Sequence, residues 1–238
     1  MSKVVCIMLA GGKGKRMGTE VSKQYLMLEG KPVLFHSLKA FEAHVDEIIV
    51  VAAKGEEDYC RREIVDRYGI EKVSRVVTGG AERYLSVYEG LKALKIILEN
   101  ETEKVYVLIH DGARPFIKED VIENVIETVK KCDACITAVP SKDTVKIGNE
   151  EGIVTDTPDR RNVWIVQTPQ AFEFDSIYRA YNKAIKSGRT DITDDSMIMD
   201  SFGEHEIHFV VGNYDNIKLT TPDDLLHGAA ILRAKTDF

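Results

Sequence analysis

A glycine-rich, basic segment near the amino terminus is the first place where this chain could do chemistry. It reads LAGGKGKRMG over residues 9–18 and continues the apolar run VVCIM. The spacing excludes a Walker A loop, because Gly18 is followed by Thr-Glu, and a dinucleotide loop, because Met17 stands at the third glycine position. We therefore predict a loop that wraps a triphosphate with backbone N–H groups, to which Arg16 and Lys23 add positive charge. The alternative is a plain strand-to-helix loop with solvated lysines.

Two later loops also follow apolar runs and carry polar chemistry. GGAERYLSV contains Arg83 and Ser86 at the start of a predicted helix, and HDGARPF contains Asp111 and Arg114. An aspartate there can bind a divalent ion or a hydroxyl, and an arginine can bind a phosphate through two hydrogen bonds. The alternative for Asp111 is a capping role for the helix predicted at 118–131.

The composition limits the possible classes of protein. The 238 residues are 44% hydrophobic and carry a net charge of -7, which predicts a single domain over 1–238 and no nucleic-acid partner. No apolar run approaches the roughly 18 residues that span a bilayer, so we expect no membrane association. The four cysteines are scattered and the histidines lack metal-ligand spacing, which favours a reduced, cytoplasmic protein with structural cysteines.

Apolar runs that alternate with amphipathic segments must position these loops. Strands are predicted at 3–9, 47–53, 72–77, 104–110, 134–140 and 206–212, and helices at 32–44, 56–68, 82–99, 118–131, 173–187, from Asp194 and from Pro222. This alternation predicts a Rossmann-like α/β domain with a mostly parallel sheet flanked by helices, whose ligands lie beyond the carboxyl ends of the strands. Residues 141–170 lack a helical period and contain a predicted β-hairpin, which indicates a lid or an arm that reaches another subunit.

Several motifs together resemble one family over essentially the whole chain. They are LAGGKGKRMG…SKQY, GGAERYLSV, HDGARPF, AVPSKDTVK, QTPQAF, TDD and NIKLTTPDDL. Their order and spacing are similar to those of the 2-C-methyl-D-erythritol 4-phosphate cytidylyltransferases, a family of polyol-phosphate nucleotidyltransferases in non-mevalonate isoprenoid biosynthesis. The ribitol-5-phosphate cytidylyltransferases share nearly all of these motifs, so they remain an alternative. A catalytically inert nucleotide-sensing module on the same fold is a second alternative.

The resemblance implies a seven-stranded sheet, a homodimer made by exchange of the hairpin arm, and a reaction of CTP with a polyol phosphate that gives a CDP-polyol and pyrophosphate with Mg²⁺. Four residues would be catalytic, namely Arg16, Lys23, Arg160 and Lys218. The substrate-binding residues would be Ala10, Gly11, Gly12, Gly14, Gly80, Arg83, Ser86, Asp111, Gly112, Arg114, Thr144 and Thr193. Within this set, Gly80, Arg83 and Ser86 would hold the cytosine and ribose, and Thr144 and Arg160 would come from the partner's arm. The direct metal ligands stay open, with Asp111 as a candidate.

One departure from the family pattern concerns the segment that carries Lys23. Ser22 stands where the family usually has a proline before KQY. Because proline fixes φ, its loss removes one restraint, and we expect a more mobile segment around Lys23.

Overall fold

The computed structural model describes residues 2–12 and 22–236. Its centre is a seven-stranded sheet in the order β11-β7-β10-β6-β1-β4-β5. The strands of this sheet are β1 (Lys3–Ala10), β4 (Glu47–Ala52), β5 (Val73–Thr78), β6 (Val105–Asp111), β7 (Ala134–Pro140), β10 (Trp164–Glu173) and β11 (His208–Val211). Strand β10 is antiparallel to β6 and β7, and the other pairs are parallel. The predicted α/β fold with a mostly parallel sheet is therefore confirmed.

The helices cover both faces of the sheet. They are α1 (Val33–Glu42), α2 (Glu57–Tyr59), α3 (Arg83–Ile97), α4 (Glu119–Cys132), α5 (Phe174–Ser187), α6 (Asp195–Phe202) and α7 (Pro222–Thr236). Alternate side chains of β1 enter two different apolar clusters, because Cys6 and Met8 pack on one face while Val5 and Ile7 pack on the other. Burial on both faces explains why these strands are continuous apolar runs in the sequence. In the part of the chain described here, no helix has the length and apolarity needed to cross a membrane.

The segment 141–170 differs from the prediction at its carboxyl end. The hairpin is present as β8 (Ile147–Gly148) and β9 (Val154–Asp156), which form a separate two-stranded sheet. From Trp164 onward, however, the chain is strand β10 of the central sheet, inserted between β7 and β6. The hairpin segment is therefore shorter than predicted, because the residues from Trp164 onward pair with both β7 and β6 as a strand of the central sheet.

A second difference concerns the helix predicted at 56–68. The structure has the short helix α2 followed by a π-helix over Cys60–Asp66, in which the buried residues are Cys60, Ile64 and Val65. The apolar spacing indicated a helix correctly, but it does not distinguish the i→i+4 hydrogen bonds of an α-helix from the i→i+5 bonds of a π-helix.

Two short elements complete the frame of the site. A 3₁₀ turn at Lys23–Tyr25 and the small hairpin of β2 (Met27–Leu28) and β3 (Lys31–Pro32) lie between β1 and α1. Helix α6 begins after Asp194, whose carboxylate accepts a hydrogen bond from the Met197 amide, and helix α7 begins at Pro222. Both helix starts lie within one residue of the predicted positions, Asp194 and Pro222.

Candidate active site

A cavity of about 650 Å³ opens at the carboxyl edge of the sheet, beyond β1, β4, β5 and β6. This is the edge at which open α/β sheets bind their ligands. The cavity brings together residues from five separate loops of the chain. The predicted site residues in its lining are Gly11, Gly12, Lys23, Gly80, Arg83, Ser86, Asp111 and Lys218.

The remaining predicted residues lie elsewhere. Gly14 and Arg16 lie outside the described residues. Ala10, the last residue of β1, and Gly112 are both buried, and neither lines the cavity. Arg114 lines a neighbouring cavity of about 390 Å³ that Lys218 also lines.

Three further predicted residues, Thr144, Arg160 and Thr193, line neither cavity. Thr144 and Arg160 are exposed in the segment that contains the β8–β9 hairpin, where the Arg160 guanidinium donates to the carbonyl of Lys142 at 3.1 Å. Thr193 is exposed just before α6, and its hydroxyl contacts the sulfur of Met197. Within one chain, these residues are not assembled with the cations of the main cavity.

Lys23 is held near Lys218 although the two are far apart in sequence. Its ammonium donates to the carbonyl oxygen of Leu219 at 3.0 Å. The turn that carries it is fixed by the Gln24 amide, which donates to the carbonyl of Ala10 at 2.5 Å. The Lys23 ammonium thus lies against the backbone next to Lys218, and both lysines line the cavity, as does Lys54.

The segment around Lys23 has a restraint that the sequence did not reveal. The Ser22 hydroxyl donates to Glu56 Oε1 at 2.5 Å, and Glu56 ends the loop between β4 and α2. This hydrogen bond provides a side-chain anchor at the position where the family usually has proline.

The loop after β5 requires glycine because the chain turns tightly into α3. A Cβ on Gly80 would lie 2.3 Å from Cβ of Leu85, which no side chain can tolerate. Ser86 stabilises the turn, since its hydroxyl accepts from the Gly80 amide at 3.1 Å. The structure therefore gives Ser86 a role in shaping this loop, in addition to any contact with a ligand.

Asp111 is the electrostatic centre of the cavity. Lys218 Nζ lies 2.8 Å from its carboxylate, Arg83 Nε lies 3.4 Å away and Arg114 Nε lies 3.6 Å away. Burial alone would raise the pKa of Asp111, but the charges of Arg83, Lys218 and Arg114 outweigh burial and hold the pKa well below its usual range. A capping role for Asp111 is excluded, because α4 begins after Lys118 and no hydrogen bond joins the Asp111 carboxylate to that helix.

Hydrogen bonds from three elements fix the backbone of the loop that carries Asp111. The Asp111 amide donates to the Thr168 hydroxyl, which lies 3.1 Å from His110 Nδ1. His110 Nε2 lies 3.1 Å from the carbonyl of Arg114, so the imidazole bridges the two ends of the turn. Ser37 of α1 donates to the carbonyl of Gly112 at 2.9 Å. Burial lowers the pKa of His110 to about 4, so the ring is neutral at pH 7.

Arg83 is engaged by two carboxylates. Its terminal nitrogens donate to both oxygens of Asp195 at 3.0 and 2.8 Å, while its Nε faces Asp111. Desolvation would lower the pKa of Arg83, but Asp195 and Asp111 raise it well above its usual value. The Arg83 guanidinium therefore binds two carboxylates of the protein, whereas the resemblance implied a contact with the cytosine and ribose.

Asp195 and Gln24 are buried residues around the cavity that were not singled out from the sequence. Asp195 belongs to the TDD motif, and Gln24 belongs to the KQY motif. Both motifs were recognisable, but the partners of these side chains lie on distant segments, so local spacing gave no sign of their contacts.

The mostly parallel sheet, with a cavity at its carboxyl edge that is lined by glycines and lysines, is typical of α/β proteins that bind nucleotides. A family model described as IspD: 2-C-methyl-D-erythritol 4-phosphate cytidylyltransferase matches residues 4–234. The chain belongs to the 2-C-methyl-D-erythritol 4-phosphate cytidylyltransferase family, which confirms the resemblance seen in the motifs.

Individual relatives support this assignment over the full length. The 2-C-methyl-D-erythritol 4-phosphate cytidylyltransferase of Lachnoclostridium phytofermentans is 50% identical over 239 residues, with 100% of both chains covered. The protein of the same name from Alkaliphilus metalliredigens is 48% identical, covering 99% of this chain and 95% of its own. The crystal structure of 4-diphosphocytidyl-2C-methyl-D-erythritol synthase from Anaerococcus prevotii superposes with a TM-score of 0.83 at 36% identity, covering 98% of this chain and 99% of the other.

Proposed function

We propose that this protein transfers the cytidylyl group of CTP to 2-C-methyl-D-erythritol 4-phosphate, giving 4-diphosphocytidyl-2-C-methyl-D-erythritol and pyrophosphate. The observation that carries the proposal is the joint placement of Lys23, Lys218 and Asp111 on one cavity in a chain of this family. Lysines at adjoining backbone segments suit a reaction that brings a phosphate dianion to a triphosphate.

The chemistry needs positioning and positive charge more than it needs a base. An oxygen of the polyol phosphate attacks the α-phosphorus of CTP, the bond from that phosphorus to the bridging oxygen breaks, and pyrophosphate leaves with the electron pair. The attacking oxygen is already ionised at neutral pH, so no proton has to be removed. Lys23 and Lys218 reduce the repulsion between the two anions and stabilise the charge that develops at the α-phosphate.

Magnesium fits this cavity as an ion held mainly by the substrate. Mg²⁺ typically uses one or two carboxylates together with phosphate oxygens and water. Asp111 is a buried carboxylate in the lining, and among the described residues no group of three or more potential ligands could hold a metal alone. When bound, Mg²⁺ would neutralise triphosphate charge. Asp111 would offer a carboxylate oxygen to Mg²⁺ while it also keeps its contacts with Lys218, Arg83 and Arg114.

A homodimer would complete the site through the arm. Arg160 and Thr144 lie on the arm, outside the cavity of their own chain. The arm exposes the apolar side chains of Ile153 and Val154, and the outer strand β11 exposes Phe209 and Val211. We propose that two chains bury such surfaces by exchanging arms, so that each arm brings Thr144 and Arg160 to the partner's cavity, close to Thr193.

Mixed dimers test this exchange. An Arg160→Ala chain and a Lys23→Ala chain are each expected to be inactive as homodimers. If the arm crosses between subunits, the mixed dimer has one site with both residues intact and regains part of the activity. Absence of recovery in purified mixed dimers would contradict an arm that crosses.

Pyrophosphate release tests the activity itself. The protein is incubated with CTP and Mg²⁺, and with either 2-C-methyl-D-erythritol 4-phosphate or ribitol 5-phosphate. We expect release with the first acceptor. Release only with ribitol 5-phosphate would establish the alternative cytidylyltransferase, and CTP binding without turnover on either acceptor would indicate a nucleotide sensor.

A cytoplasmic location completes the proposal. The four cysteines are free thiols, as expected of a reducing compartment. Cell fractionation with an antibody against the chain would test it, and recovery in the membrane or extracellular fraction would contradict it.

A further inference from the structure

A fully buried carboxylate lies behind the cavity, on a helix that contributes nothing to its lining. Asp195 is the first residue of α6, and its side chain is 0% exposed. It binds Arg83 with both oxygens, at 3.0 and 2.8 Å. This two-pronged pairing gives the planar guanidinium a defined orientation as well as a counter-charge.

Asp195 is itself fixed from two further elements. The Tyr181 hydroxyl of α5 donates to Asp195 Oδ1 at 2.6 Å. Gln170 of β10 accepts the backbone amides of Asp195 and Ser196 with its Oε1, at 3.1 and 3.0 Å, and its Nε2 donates to Asp194. The carboxylate therefore has little freedom to move when Arg83 is disturbed.

Arg83 transmits this order to the cavity. Two of its nitrogens are used by Asp195, and its third, Nε, lies 3.4 Å from Asp111 on the opposite side. With three nitrogens held, the guanidinium cannot rotate its terminal nitrogens toward Asp111. Asp111 thereby keeps the orientation in which Lys218 approaches it at 2.8 Å.

We propose that Asp195 is a positioning residue for the reaction, which acts by fixing Arg83 and through it the carboxylate of Asp111. The effect on turnover rests on the proposed function. Asp195 does not touch the cavity, so its contribution to catalysis passes entirely through Arg83. Gln170 and Tyr181 support it from the TPQ motif and from α5.

The test begins with Asp195→Asn, which preserves the shape of the side chain but replaces one carboxylate oxygen with an NH₂ group. That NH₂ donor would face an N–H donor of the Arg83 guanidinium, so one of the two hydrogen bonds is lost. We expect kcat to fall about 10- to 100-fold, because a displacement near 1 Å in a site can cost that much, while the KM for CTP changes less than about threefold. Asp200→Asn is the matched control, since Asp200 is an exposed carboxylate on the same helix. It should leave kcat within about twofold of wild type.

A double-mutant cycle separates positioning from general damage. If Asp195 acts through Arg83, the pair Asp195→Asn with Arg83→Gln should be no slower than Arg83→Gln alone. Losses that multiply in the double variant would contradict the inference. So would a full wild-type kcat in Asp195→Asn.

Two further measurements keep the inference testable: Tyr181→Phe if Asp195→Asn folds poorly, and NMR of the Arg83 side chain if turnover is absent. Tyr181→Phe removes a single hydroxyl and should lower kcat about 3- to 10-fold in the same direction, without a large change in KM. In ¹⁵N NMR spectra, the side-chain N–H groups of Arg83 should exchange slowly in the wild type and quickly in Asp195→Asn. Equal exchange rates would refute the link, whereas an inactive wild type with the expected exchange rates would refute the proposed function instead.

Discussion

Neutralising Asp111 should destabilise the fold by an amount that depends on pH. In Asp111→Asn the three cations around this position lose their shared counter-charge. Lys218 Nζ lies 2.8 Å from the carboxylate, and the Nε atoms of Arg83 and Arg114 lie 3.4 and 3.6 Å away. Their positive charges would then face one another across a neutral amide.

The expected loss of unfolding free energy follows from the burial of each partner of Asp111. Removing one member of a buried ion pair typically costs about 3–5 kcal/mol. Arg83 retains Asp195, and the Lys218 side chain is 36% exposed and can turn toward water. We therefore expect the lower end, about 3 kcal/mol at pH 7, which corresponds to a loss of about 1 M in the urea midpoint of a chain this size.

The pH dependence provides a sharper signature than the size. Because the cations hold the pKa of Asp111 well below its unfolded value of about 3.9, its contribution to stability is complete above that value and is lost as the pH falls further. The difference between wild type and Asp111→Asn should be constant from pH 5 to 8. It should then shrink as the pH falls below about 4.

Urea unfolding followed by circular dichroism measures both quantities. Asp66→Asn is the control, since its contact with Arg61 spans 3.9 Å at a site where Asp66 is 58% exposed, and it should cost less than about 0.5 kcal/mol. If Asp111→Asn unfolds at the same urea concentration as wild type at pH 7, the cations do not depend on Asp111 and the electrostatic account of the cavity is wrong.

Three other predictions concern neighbouring groups. Lys218→Met should lower kcat/KM about 10²- to 10³-fold in steady-state assays while the circular dichroism spectrum is unchanged, and a smaller loss would remove Lys218 from catalysis. Burial lowers the pKa of His110 to about 4, against about 6.5 in the unfolded chain. As the pH falls from 6.5 to 4, the wild type should therefore lose up to about 3 kcal/mol of unfolding free energy relative to His110→Gln, as measured by urea unfolding. An equal pH dependence of the two proteins would contradict a buried neutral ring. Ser22→Ala should lower the free energy of unfolding by about 1 kcal/mol through loss of the hydrogen bond to Glu56. Ser22→Pro should recover part of that loss, because the φ of -58° at this position suits proline. If Ser22→Pro unfolds on heating at no higher a temperature than Ser22→Ala, the predicted recovery is wrong.

The central strands could be predicted from the sequence because they are buried on both faces. The run at 3–9 corresponds to β1 at Lys3–Ala10, and the run at 104–110 corresponds to β6 at Val105–Asp111. Strand β10 was missed because its sequence, WIVQTPQAFE, contains a proline and two glutamines. Its pairing with β7 is interrupted between Val166 and Gln170, so no regular alternation marks it as a strand.

The candidate site could be predicted in part, because some of its residues follow from local sequence pattern while others depend on contacts between distant segments. Glycine, lysine and aspartate at loops after apolar runs can be located from the sequence, because parallel strands bring their carboxyl ends to one edge. The link between Arg83 and Asp195 spans 112 positions, and that between Lys23 and Leu219 spans 196. No local pattern encodes such contacts, since they depend on how α6 and the segment before α7 pack against the sheet.

Isotope tracing measures directly whether a polyol-phosphate oxygen attacks the α-phosphorus of CTP. Wild-type protein is incubated with CTP, Mg²⁺ and 2-C-methyl-D-erythritol 4-phosphate that carries ¹⁸O in its phosphate, and the products are analysed by mass spectrometry. All the ¹⁸O should remain in the cytidine diphosphate product, and the pyrophosphate should carry none. Label in the pyrophosphate, or release of CMP in place of a CDP-alcohol, would contradict it.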